Sequence, residues 1–303
     1  MRLGDEQESV NFEDRTGRSG GSGFGGFGGG GGGGGIFGLL FGLVLSRFGI
    51  GGVLILALGY CALTSLGGGG GGGMLNSPAA VAPHTASGQS TLDDGTKQLL
   101  TRVLGSTERR WTDIFAAKGQ QYEPTTMVAY SQSDQSGCGA AQAAMGPFYC
   151  PTDKKIYIDP SFFQELSTRF RAEGDFAQAY VIAHEVGHHV QDLTGTLSQA
   201  SAAQRRASST EGNAIQVRVE LQADCYAGVW AANDKNLMEP GDMEEGLRAA
   251  QAIGDDTLQQ EAQGRVRPES FTHGSSEQRQ RWLKRGLDSG DPADCDTFNT
   301  ASL

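Results

Sequence analysis

The chain has 303 residues, a formal net charge of −11 and a sequence pI of about 4.9, so it lacks the lysine and arginine surplus with which a nucleic-acid binder displaces counterions. Most of the excess among its 47 glycines lies before residue 75. Roughly 200 residues remain to build a core, which suits one good-sized domain with an appendage.

In chain order, residues 1–20 are polar, carry both charge signs and hold almost no apolar side chains, so they are expected to be disordered. Residues 20–35 are glycine broken only by Ser22, Phe24 and Phe27, which makes 1–35 a polar and glycine-rich tail. An apolar stretch, Ile36–Leu66, follows, with Arg47 inside it. Its cleaner half, Phe48–Leu66, is 19 residues without a charge, close to the roughly 20 that a helix needs to cross a bilayer. The expectation is one membrane span over 36–66; a buried apolar helix is the competing reading. The run lies too far from Met1 to be a signal peptide. Arg2, Arg15, Arg18 and Arg47 lie on its N-terminal side, and the first basic residue beyond it is Lys97. Positive charge stays inside, so a single-pass bacterial membrane protein with a cytoplasmic N-terminus and an exported domain is expected. Gly67–Gly73 and the Ala/Ser/Pro-rich stretch after them make a linker over 67–91, with the domain at 92–303.

Of the five cysteines, Cys61 lies in the apolar stretch and Cys138, Cys150, Cys225 and Cys295 lie in the domain. An even number in an exported domain fits two disulfides. Cys138 with Cys150 would close a short Gly/Ala loop and leave Cys225 with Cys295. Four cysteines permit three pairings, and they contain no CxxC pair that would favour a cysteine zinc site.

Apolar spacing predicts a helix over Thr91–Ala116, broken at Gly105. Phe148–Asp159 reads as a hairpin turning at Pro151-Thr-Asp, with Ile156 and Ile158 on one face and Tyr157 on the other. A helix is expected from Ser161 as N-cap, and others over Asp175–Leu193, Glu211–Asn233 and Ser275–Ser289, the last with Gln278 near N3. The class is α+β with helices dominant and a small hairpin or sheet.

The chemistry centres on Ala183-His184-Glu185-Val186-Gly187-His188. Residues four apart on a helix stand one turn above each other, so His184 and His188 can converge on one ion, with Glu185 beside them as general base for a zinc-activated water. His189 is about 100° around the helix from His188 and points off the metal. A catalytic site needs a third protein ligand, and Glu220 in the later helix supplies a candidate. Asp224, one turn on, is placed to accept the second ring N–H of a ligating histidine. The flanking Leu221, Ala223, Tyr226, Ala227 and Trp230 bury at least one side of this helix.

H-E-x-x-H followed by a helix carrying E-x-x-x-D resembles the gluzincins, the thermolysin-like metallopeptidases. More narrowly, PFYCPTDKKIYID, AHEVGHHVQ, ELQADCYAG and FTHGSSEQR are similar to segments of the bacterial neutral zinc metallopeptidase family. The resemblance covers most of 92–298 and the anchor; the long glycine tracts depart from it but lie in linkers. It implies a zincin-like domain, one bound Zn2+, a polypeptide substrate and a strand beside the cleft, for which Lys155–Asp159 is the candidate. It names no particular substrate. His273, just before the last helix, is a candidate donor to the oxyanion. His84, in the linker, is incidental. The rival reading is a membrane-tethered binding or chaperone-like module with a structural zinc; Glu185, which a structural site does not need, favours the enzyme.

Overall fold

The computed structural model describes residues 1–18 and 89–303, apart from Lys235 and Ala301. The expected span at 36–66, and most of the linker on each side of it, lie outside the described residues. Among those described, no helix is long and apolar enough to cross a membrane. Residues 1–18 pack with 89–303 in one compact unit.

The elements run β1 (Phe12–Asp14), α1 (Asp94–Ala117), β2 (Thr126–Ala129), β3 (Ser133–Ser136), β4 (Gly139–Gln142), β5 (Phe148–Cys150), β6 (Lys155–Ile158), α2 (Ser161–Thr168), α3 (Asp175–Leu193), α4 (Thr196–Gln204), α5 (Ser209–Asn233), α6 (Asp242–Ala252), α7 (Asp255–Gln263) and α8 (Ser276–Ser289). The helix-dominated α+β class is the expected one. One sheet has the order β1-β2-β6-β5, with β5 antiparallel to β6 and the other pairs parallel. β3 and β4 form a separate hairpin.

The β5–β6 hairpin stands where the sequence placed it. Its register pairs Tyr149 with Ile156, and Ile156 and Ile158 enter the main core while Tyr157 packs with Val128 and Tyr130 on the other face. Lys155–Asp159 is not the strand at the cleft edge, however. β6 is interior, because β2 pairs along its far side, and the edges belong to β1 and β5. A parallel partner is reached through a distant connection and leaves no local sign in the sequence.

The expectation of disorder is corrected for residues 1–18. β1 adds in parallel to β2, with Phe12 opposite Met127 and Asp14 opposite Ala129. Strand addition is carried by backbone hydrogen bonds, which a polar sequence makes as readily as an apolar one. The charges are consumed in pairs: Glu13 with Lys155 and Arg15, and Arg15 with Asp134. Phe12 supplies apolar contact with the core.

α1 is not broken at Gly105 but runs through it for 24 residues. A Cβ there would lie 2.3 Å from the Gln7 carbonyl oxygen, so the glycine clears a path for the N-terminal segment. Pro160, not Ser161, stands at the N-cap of α2, and Asp159 Oδ1 just before it accepts the Ser161 N–H at 2.9 Å. α8 begins as expected, with Ser275 and Gln278 forming a reciprocal capping box.

α3, α5 and α8 build the centre of the core. Glycines set their spacing. A Cβ on Gly187 would stand 3.0 Å from the Ala223 carbonyl, and one on Gly286 would stand 1.9 Å from the Cys225 carbonyl. α3 and α8 thus press backbone to backbone against opposite faces of α5. Disulfides join Cys138 to Cys150 and Cys225 to Cys295. The first ties the β3–β4 turn to β5; the second ties α5 to the C-terminal segment.

Candidate metal centre

The close approach at Gly187 and Ala223 decides the site, because it brings α3 and α5 together beside His184, His188 and Glu220. The two Nε2 atoms are 3.1 Å apart, and Glu220 Oε2 lies 3.2 Å from His184 Nε2 and 3.6 Å from His188 Nε2. Ligands held at about 2.0–2.2 Å by one tetrahedral ion stand about 3.3 Å from each other, so three atoms spaced this way fit a shared zinc. They need a cation or a proton among them, since a carboxylate and ring-nitrogen lone pairs otherwise face one another. His184, His188 and Glu220 are grouped as the three ligands expected from the sequence.

Each ligand is aimed by a neighbour. Asp224 Oδ1 is 2.8 Å from His184 Nδ1, so the ring presents Nε2 to the site. Gln191 Oε1 is 2.9 Å from His188 Nδ1, and its own amide nitrogen donates to the Val219 carbonyl and to Gln222. Gln216 donates to Glu220 Oε1 at 2.8 Å, leaving Oε2 for the metal. Asp224 is itself held by Tyr180, whose hydroxyl donates at 2.6 Å, and by a two-pronged contact from Arg279 at 2.8 and 2.9 Å.

The charges follow from this packing. Burial works against ionisation of Asp224, but Arg279 and His184 outweigh it and lower its pKa to about 2. Burial likewise opposes charge on His184, yet Asp224 and then Glu220 raise its pKa to about 10. An entering cation therefore displaces a proton. Glu220 is held well below the ordinary carboxylate range, burial being overcome by His188 and His184. Glu185 is the exception: burial pushes its pKa up, and the two histidines offset only part of that.

His273 lies on the loop between α7 and α8, its Nδ1 3.2 Å from Asp255 Oδ1. Asp255 Oδ2 accepts the backbone N–H groups of Thr272, His273 and Gly274, so one carboxylate fixes both loop and ring. Gly274, at φ 91°, seats the loop against Val217 and Leu221 of α5, next to Glu220. Burial lowers the His273 pKa, but Asp255 and Glu220 together raise it above its ordinary value. His189 turns away from the site, as expected. It is buried, with Nε2 donating to the Glu123 carbonyl at 2.6 Å and Nδ1 3.0 Å from the Tyr149 hydroxyl.

Sequence reasoning missed five residues here. Tyr180, Gln191 and Gln216 sit three or four positions from a ligand on its own helix, a spacing that could have found them. Asp255 and Arg279 come from other helices and had no local signal toward the ligands.

Two histidines one turn apart and a carboxylate from the next long helix, with a buried glutamate beside them, make a group that could hold a metal ion. The chain belongs to the family described as "putative neutral zinc metallopeptidase", whose model matches residues 1–298. It is 47% identical over 248 residues to the uncharacterized protein YpfJ of Escherichia coli (strain K12), covering 81% of this chain and 84% of that one. It is 46% identical over 195 residues to the uncharacterized protein Rv2575 of Mycobacterium tuberculosis (strain ATCC 25618 / H37Rv), covering 60% of this chain and 65% of the relative. No solved structure matches the chain.

Proposed function

We propose that the chain is a membrane-attached zinc peptidase that hydrolyses polypeptide outside the cytoplasm. His184, His188 and Glu220 would hold one zinc ion. When bound, zinc supplies a Lewis acid that lowers the pKa of a ligated water toward about 7 and polarises a carbonyl.

The protein's own groups do the rest. Glu185, its pKa raised by burial, is suited to take a proton from the attacking water and return it to the leaving amine. His273, steadied by Asp255, offers its Nε2 side to the oxyanion that forms on the carbonyl. Asp224, Tyr180 and Arg279 hold the His184 ring at one angle. β5 is the free edge of the sheet beside α3, and an extended substrate could add to it by backbone hydrogen bonds.

The observation that carries this reading is Glu185. A structural metal clip has no use for a buried carboxylate next to its ligands, and burying one without a chemical role is costly. Membrane attachment is supported by the apolar stretch at 36–66, and an oxidising compartment by the two disulfides.

The test is zinc content and cleavage of an unfolded protein substrate by the full chain beside Glu185→Gln. One zinc in both with cleavage only in the parent supports the mechanism. Equal cleavage by both removes Glu185 from it, and no zinc in either removes the site. Fractionation of the producing cells checks the attachment.

A further inference from the structure

We infer that residues 1–18 and 89–303 occupy the same compartment, so that the segment between them makes no net crossing of the membrane. This replaces the cytoplasmic N-terminus expected from the arginine distribution, and it is independent of the peptidase reading.

The first observation is that the N-terminal residues are built into the domain. β1 is a strand of the domain's own sheet, in register with β2. Its flanks are bonded as well. The Ser9 N–H donates to the Thr101 carbonyl at 2.9 Å and the Arg15 N–H to the Ala129 carbonyl at 2.8 Å. Glu108 of α1 accepts from the Ser9 hydroxyl at 2.6 Å and the Asn11 amide at 2.9 Å. A lipid bilayer cannot lie between groups that share hydrogen bonds.

The second observation comes from the domain side. Gly105 sits inside α1, where glycine weakens a helix. It stands where the Gln7 carbonyl passes, 2.3 Å from where its Cβ would be. The helix has given up a side chain to admit residues 7–9.

The third is where the connecting segment leaves and returns. Asp14 Oδ2 accepts the Ser90 hydroxyl at 2.5 Å, and the Thr91 N–H donates to Thr16 Oγ1 at 3.1 Å. The two ends meet within hydrogen-bond reach, so the chain departs and re-enters the domain at one place. Two of the arginines that suggested a cytoplasmic end are tied to the same body: Arg2 pairs with Glu239 at 3.3 Å and Arg15 with Asp134 at 2.9 Å. Their charges are met by protein carboxylates rather than held free against a membrane surface. The disulfides place both described segments on the oxidising side.

Val10 is 93% exposed and Val266 is 40% exposed, so each accepts a cysteine without cost to the fold. The full chain carrying Cys61→Ser, with Val10→Cys or Val266→Cys, is produced in a bacterial host and treated in right-side-out spheroplasts with a membrane-impermeant maleimide. The same is done after lysis. Equal labelling of both positions before lysis supports the inference. Labelling of Val266→Cys before lysis and of Val10→Cys only afterwards overturns it, as does the reverse. Hydrogen exchange on the purified full chain gives a second readout. The Ser9 and Arg15 amides are expected to be protected in the parent and to exchange at least tenfold faster in Gly105→Leu. Unprotected amides in the parent would defeat the docking on which the inference stands.

Discussion

At the scale of single residues, the site separates groups that would hold a metal from groups that aim them. Asp224→Asn keeps the size of the side chain but loses the carboxylate that fixes His184. Zinc affinity, measured by competition with a chelator, is expected to fall about 10–100-fold. Glu220→Gln removes a ligand and should lose zinc on dialysis; full occupancy would exclude Glu220 from the set. Asp255→Asn acts elsewhere. Zinc content should stay at the parent value while turnover falls about a hundredfold, because His273 is no longer steadied. The pair also has a pH signature. Asp255 is depressed below its ordinary 3.8, burial being outweighed by His273 and by the backbone N–H groups, so its contribution is present above that pH and fades as pH falls through the lowered value. His273 is raised above 6.5, so its contribution is complete below that pH and fades as pH rises through the raised value. The difference in melting temperature between parent and Asp255→Asn, measured with chelator present, should be greatest between about pH 4 and 6.5 and shrink on both sides.

At the scale of elements, contact between helices is set by where side chains are missing. Gly286→Ala puts a methyl group 1.9 Å from the Cys225 carbonyl, a clash between two backbones that no rotamer relieves. Urea denaturation should show a loss of about 3 kcal/mol or more. Gly187→Ala meets the Ala223 carbonyl at 3.0 Å, a milder contact. It should cost about 1 kcal/mol, and it should weaken zinc binding too, since it pushes the histidines of α3 away from Glu220 on α5. Gly212 on α5 has open space around it, and Gly212→Ala should raise stability by about 0.5–1 kcal/mol. That opposite sign from one chemical change checks that packing, not helix propensity, explains the other two.

At the scale of the whole molecule, the disulfides bind the domain at different ranges. Cys225–Cys295 closes a loop of 70 residues and ties α5, which carries Glu220, to the C-terminal segment. Removing it by Cys225→Ser with Cys295→Ser should cost about 4 kcal/mol in the chain-entropy picture. Cys138–Cys150 closes only 12 residues, and its removal should cost about 1.5 kcal/mol less. Equal losses would mean that packing around the bridges, rather than loop closure, dominates.

The helices α3, α5 and α8, the β5–β6 hairpin, the α8 capping box and the set His184, Glu185, His188, Glu220 and Asp224 were all legible in the chain. Each depends on spacing within one element, where geometry allows only residues three or four apart on a helix, or alternate residues on a strand, to share a face. What the tertiary structure alone decided is whatever joins residues distant in sequence. It made β5 rather than β6 the edge of the sheet, because β2 occupies the other side of β6. It brought Arg279 and Asp255 to the site from separate helices. It turned a polar N-terminal stretch into a strand, because the hydrogen bonds that recruit β1 belong to the backbone, which every sequence has, and to a partner more than a hundred residues away.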